Sequence, residues 1–150
     1  MIFTVLDNIV QAMNSNGKSY VLDVGWAEWL NKSLDEFDAT KGLVLFDSDS
    51  PFVLTTTQSG RILEVHKPSL FFAFKADLDW TPLQHDTNCV TPAIIAAKEM
   101  ITRLEQDNTN VDSVSVASDG VALFNQKDVN ISGILIQLQV ELRVNPTICV

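Results

Sequence analysis

Apolar positions near the start of the chain recur at spacings of three and four, so that Ile2, Val5, Leu6, Ile9, Val10 and Met13 share one face of a helix over residues 1–14. Asn14, Ser15, Asn16 and Gly17 stop it. Residues 19–24 then read as a short strand. The following GWAEWLNKSLDEF, with Trp26, Trp29, Leu30, Leu34 and Phe37, reads as a second short helix or an irregular aromatic segment.

From residue 42 to residue 78 the period shortens to that of strands: GLVLF at 42–46, PFVLTTT at 51–57, RILEV at 61–65 and SLFFAFKADL at 69–78. Ser59 and Gly60 supply a turn between the second and third. Pro51 and Pro68 suit strand starts or edges, where a missing N–H does no harm. A linker, DWTPLQHDTNC, precedes a helix expected from Thr91 to about Gln106, with Thr91 as N-cap and Pro92 in the first turn. Its expected inner face is Ile94, Ala97, Met100, Ile101 and Leu104, flanked by Ala93 and Ala96.

Residues 111–116 alternate imperfectly, and Asp119–Gly120 carries the signature of a tight hairpin. The closing ISGILIQLQVELRV is the most regular segment. Ile134, Ile136, Leu138, Val140, Leu142 and Val144 fall on one face, and Gln137, Gln139, Glu141 and Arg143 on the other. A strand of about 14 residues spans about 45 Å and is far longer than usual. Part of its apolar face is therefore expected to meet another subunit as well as the core, at Ile134, Leu138, Val140 and Leu142.

These elements predict one α+β domain over residues 1–150, a mainly antiparallel sheet with one long helix at about 91–106 and the N-terminal helix packed on it. With 46% hydrophobic and 19% charged residues, the chain has the means to fold. No stretch approaches the ~20 apolar residues of a membrane span. The opening MIFTVLDNIVQAM has no basic residue and so lacks the start of a secretory signal, which leads to the expectation of an intracellular protein.

Net charge is −9, from 19 acidic and 10 basic residues, the opposite of a nucleic-acid-binding balance. Cys89 and Cys149 are too few and too far apart for a disulfide framework and are expected to be free thiols. His66 and His85 are the only histidines, and His85 with Asp86 and Cys89 forms at most a fragment of a zinc site, so no metal or cofactor is expected. The glycines never cluster into a phosphate loop, and the acidic pairs read as solvated surface rather than as acid and base. No enzyme is expected.

The order of helix, strands with a protruding hairpin, long helix and terminal strands resembles the tail terminators and related head-to-tail joining proteins of tailed bacteriophages. The stretch ALFNQKDVNISGILIQLQVELRVNPTIC, with its small residue Gly133 and long alternating strand, is the part most similar to them. The resemblance implies a virion protein, assembled in the host cytoplasm into a homo-oligomeric ring, a hexamer or dodecamer, at the neck or the end of the tail tube. It also implies contacts to adjoining connector or tail tube proteins, and DNA that passes through the hole without being bound. A projection around 55–75, bent at His66, Lys67 and Pro68, is expected to reach the next ring, and residues 145–150 to form an extended arm. Asp47, Asp49, Asp77 and Asp79 are candidates to line an acidic lumen. The competing expectation is a small-ligand-binding or enzymatic domain with a pocket near Trp26, Trp29 and Trp80.

Overall fold

The computed structural model describes residues 2–14, 18–24, 40–46, 51–126 and 130–144. The segment 26–37 with Trp26 and Trp29, the candidates Asp47 and Asp49, Cys149 and the arm 145–150 lie outside them. The elements are α1 (Ile2–Asn14), β1 (Tyr20–Val24), β2 (Gly42–Phe46), β3 (Phe52–Thr56), β4 (Ile62–His66), β5 (Ser69–Lys75), α2 (Pro82–His85), a π-helical turn (Asp86–Val90), α3 (Thr91–Gln106), β6 (Val111–Val116), β7 (Val121–Gln126) and β8 (Ile131–Arg143). The fold is α+β, with an eight-stranded sheet that is antiparallel except where β1 runs beside β2.

The closing strand is the axis of the sheet. Along one edge of β8, β5 pairs with residues 131–137 and β4 with residues 140–143, antiparallel and in one unbroken register. Lys67 and Pro68 only interrupt the ladder, and Leu138 N–H still donates to Pro68 O at 3.0 Å. The expected bend at His66, Lys67 and Pro68 is therefore absent: a straight run needs no turn there. The hairpin turn sits instead at Thr57–Arg61, between β3 and β4. Gly60 adopts φ 81, Gly60 N–H donates to Thr57 O at 2.9 Å, and the Thr57 hydroxyl accepts from Arg61 N–H at 3.1 Å.

The other edge of β8 carries β6 and β7 in succession. Asp119–Gly120 is not a hairpin, because these two strands run the same way and pair with β8 rather than with each other. Pairing moves from Val116↔Leu138 to Val121↔Leu135, so the segment between absorbs two extra residues as an irregularity. A two-residue hairpin of the Asp-Gly type needs positive φ, and among the described glycines only Gly60 has it.

The helices cover one face. Ile2, Val5, Leu6, Ile9, Val10 and Met13 of α1 pack with Val44, Phe46, Leu70, Phe72 and the inward row of β8. On the opposite face Leu43, Leu45, Phe71, Ala73 and Ile131 form a second buried cluster. Midway along β8 that second face changes from Ile131, Gly133 and Leu135 to Gln137, Gln139, Glu141 and Arg143. The first half of β8 is thus apolar on both faces and its second half on one.

The long helix starts ten residues earlier than the sequence suggests. Two Thr-Pro pairs compete, and the true N-cap is Thr81, whose side chain accepts from Gln84 N–H while the Gln84 side chain accepts from Thr81 N–H, with Pro82 following. Thr91 is already helical, at φ −61 and ψ −48. Pro92, inside the helix, has no N–H to offer the preceding turn, and the chain meets this with the π-helical turn, where Thr91 N–H reaches back to Asp86 O. The inner face of α3 is Ala93, Ala96, Ala97, Met100 and Leu104; Ile94 is 38% exposed rather than inward. The three alanines let the helix approach the sheet closely, which a row of isoleucines would prevent.

Candidate functional site

The residues that sequence reasoning assigned to an interface separate in space. Leu138, Val140 and Leu142 are fully buried and Ile134 nearly so, all in the chain's own core. Both edges of β8 are occupied by strands of the same chain, so the length that suggested an outside partner is matched by β5 with β4 on one side and β7 with β6 on the other.

The unusual surface is the rim of the sheet. Phe52, Val53 and Leu54 of β3 are 58%, 65% and 61% exposed, and Ile62 beside them is 46% exposed. This strand has no charge in it, and β4 is its only partner among the described residues. Exposed apolar edge strands invite pairing with another chain unless charge, proline or a bulge guards them. Under this rim lies His66, 5% exposed, with its ring stacked on Phe52 at 5.2 Å and its Nε2 2.9 Å from Glu64 Oε2. Its Nδ1 is buried and has no hydrogen-bond partner. Lys67 is exposed.

Backbone polarity on this rim follows from the ladder. Lys67 N–H donates to Pro51 O and Thr57 N–H to Arg61 O, so alternate residues 51, 53, 55 and 57 face β4, and the N–H and C=O groups of Phe52, Leu54 and Thr56 point to the open side. At the far side of the same four-stranded region, Ala117 N–H donates to Gln137 O. By the same alternation Ser113 and Ser115 face β8, while Val114 and Val116 present their backbone groups outward. Val116 is 55% exposed.

Asp77 and Asp79 are exposed in the loop entering α2, at the Ile131 end of β8 and so at the opposite end from the β3–β4 turn. Locally they shape a turn: Asp77 Oδ1 accepts from Asp79 N–H at 3.2 Å, and Asp77 O accepts from Trp80 N–H at 3.2 Å.

A polar cluster that the sequence did not reveal lies beside this loop. His85, 3% exposed, is hydrogen-bonded through Nδ1 to Ser132 Oγ, itself fully buried, at 3.0 Å. That hydroxyl also accepts from Asn125 N–H at 2.9 Å, so one oxygen links the imidazole to the backbone of β7. The Asn125 side chain lies 3.4 Å from Nε2, and its Oδ1 has no partner. Phe124 stacks on the imidazole at 5.0 Å, and Trp80 meets it edge-on at 5.6 Å. His85 and Ser132 are buried beneath the partly exposed Trp80, Phe124 and Asn125. Asp86 is exposed and His85 turns to Ser132, so the fragment His85, Asp86 and Cys89 does not converge. Among the described residues no three His, Cys, Asp or Glu side chains gather as a metal site. The Cys89 thiol donates to the Phe74 and Lys75 carbonyls and is pushed up to about 11 by burial.

No family model matches the chain, and no characterised protein matches it in sequence. What sequence reasoning missed has a visible signal in each case. Ser132 is a polar residue in the inward row that continues through Ile134 and Ile136, which marks a buried hydrogen bond. The run FVLTTT is uncharged and follows a proline, as an outer strand can.

Proposed function

We propose that this chain is a structural subunit of a virion, a protein that assembles with copies of itself into a ring of six or twelve at the head-tail connector or the end of the tail tube of a bacteriophage. DNA passes through the hole, and the faces of the ring meet adjoining connector or tail tube proteins. Such a protein acts by shape and needs no catalytic residue. The observation that carries the reading is the rim at Phe52, Val53 and Leu54, three consecutive apolar residues each more than half exposed on a strand whose only partner among the described residues is β4. A partner that covers this edge removes the hazard of uncontrolled pairing. The resemblance of the closing strand and its preceding loop to phage ring proteins supplies the class of partner. A net charge of −9 agrees with a channel that lets DNA slide, since phosphate contacts from Lys and Arg would turn passage into attachment.

Size-exclusion chromatography with light scattering tests this directly. The ring reading predicts a mass of six or twelve chains, or a mass that climbs toward it with concentration. A protein that stays at the mass of one chain up to millimolar concentration would overturn it.

A further inference from the structure

We propose that neighbouring copies join by edge pairing, with β3 of one copy lying antiparallel against β6 of the next. The inference rests on the ring reading for closure, but the seam itself is argued from the ladder.

Within β3–β4–β8–β6 every adjacent pair is antiparallel. Four strands with alternating direction leave the two rims pointing opposite ways. A second copy placed beside the first in the same orientation therefore brings β6 against β3 antiparallel, as the better of the two ladder geometries requires. An odd number of strands would have made that seam parallel.

Residue parity agrees. The outward backbone groups of β3 belong to Phe52, Leu54 and Thr56, and those of β6 to Val114 and Val116. Opposed residues share a face, so Phe52 and Leu54 stand with His66 and Glu64, these with Val140 and Leu142, and Val114 and Val116 with Val140 and Leu138. Both rims thus bond outward through residues whose side chains lie on the helix-bearing face. Pairing them keeps that face continuous and sets Phe52 and Leu54 against Val114 and Val116 of the neighbour, the kind of apolar cross-strand pair that stabilises a sheet.

Length and charge fit as well. The strands are five and six residues long. β3 has no charge, and the one charge in β6, Asp112, is held by Arg143 Nε at 3.3 Å and approached by Arg61 at 4.0 Å. An isologous β3–β3 contact would satisfy one rim and leave the exposed Val116 rim open, whereas head-to-tail pairing satisfies both in every copy.

Proline tests the seam because it deletes a single donor. Leu54→Pro and Val116→Pro remove outward N–H groups and leave the bonds to β4 and β8 intact. Each variant is expected to keep the far-UV circular dichroism of the parent and to lose the high-mass species. Mixed one to one, the two variants restore one intact seam, since the first keeps a good β6 rim and the second a good β3 rim. The expected product is a dimer of twice the 16.6 kDa chain mass and nothing larger. If either proline unfolds the chain, Leu54→Lys and Val116→Lys are read in the same way. Rings that persist in both variants would overturn the seam while leaving the ring reading in place. Loss of assembly in the β3 variant alone would show a β3–β3 contact and overturn it too. An intact seam in a wild type that forms open chains would sink the ring reading and keep the seam.

Discussion

His85 Nδ1 lies 3.0 Å from Ser132 Oγ, a bond that joins the last residue of α2 to the second residue of β8 across 47 positions of sequence. It ties the entry of the long helix to the start of the sheet's central strand. His85→Ala takes one of the two partners of the buried Ser132 hydroxyl and the ring partner of the Asn125 side-chain amide, and it removes the ring between Trp80 and Phe124. The expected loss is about 2–4 kcal/mol. Ser132→Ala, which strands His85 Nδ1 and Asn125 N–H, is expected to cost about 1–3 kcal/mol. Urea denaturation of the two single variants and the double variant checks this. Costs that simply add would show that the two side chains do not act as a unit.

Gly133 is required by close approach. A Cβ built there would overlap the Phe72 carbonyl oxygen and press on Ala73 Cα, both backbone atoms that cannot swing aside. Gly133→Ala must push β5 away from β8 where the two pair through Phe72↔Ile134 and Ala73↔Gly133. A loss of about 3 kcal/mol is expected, at the upper end for overpacking. A thermal melt within a degree or two of the parent would refute the close approach.

Alkali should weaken the fold in a specific way. Burial pushes the Cys89 thiol up to about 11 from its ordinary 9.0, and Tyr20 is raised as well by burial. Lys18 is raised by its hydrogen bond to Glu99. All three bind protons more tightly when folded, so the stability they contribute is full below the unfolded values and is lost as pH climbs through the folded ones. The urea midpoint is expected to fall from about pH 9 toward about pH 11, and less steeply in Cys89→Ala. Superimposable declines for the two proteins would show that the thiol is not the cause.

Much of the fold was legible in the sequence, because period and burial agree wherever one face of an element is dry. The α1 stripe, the strand positions and the inward row of β8 follow from residue spacing alone. Failures occurred where two local signals competed or where pairing was not local. Thr81–Pro82 and Thr91–Pro92 look alike, and only the Gln84 side chain, three residues after Thr81, distinguishes the true cap. Asp119–Gly120 carries hairpin chemistry, but β8 offers a long continuous edge on which β6 and β7 both gain more by lying in line. The candidate site was less legible. The long β8 suggested an interface, yet the chain itself supplies strands for both of its edges, and the exposed apolar rims lie farther out, at β3 and β6.

Duplex binding gives a test of the channel. With 19 acidic and 10 basic residues the protein is expected to show no retention of a DNA duplex at physiological salt. We propose that Asp77 and Asp79, both exposed, help keep the lumen acidic, and a field of this kind reaches only about 8 Å in such salt. Replacing both by Lys should therefore create binding in assembled rings but little in isolated chains. Equal binding by both forms would place these residues away from the hole.

Electron microscopy of the wild-type protein in negative stain, at concentrations where light scattering reports the high-mass species, tests the central claim most directly. Class averages of closed rings with six-fold or twelve-fold symmetry and an open centre are predicted. Compact particles without a central hole, or unclosed filaments at every concentration, would contradict it.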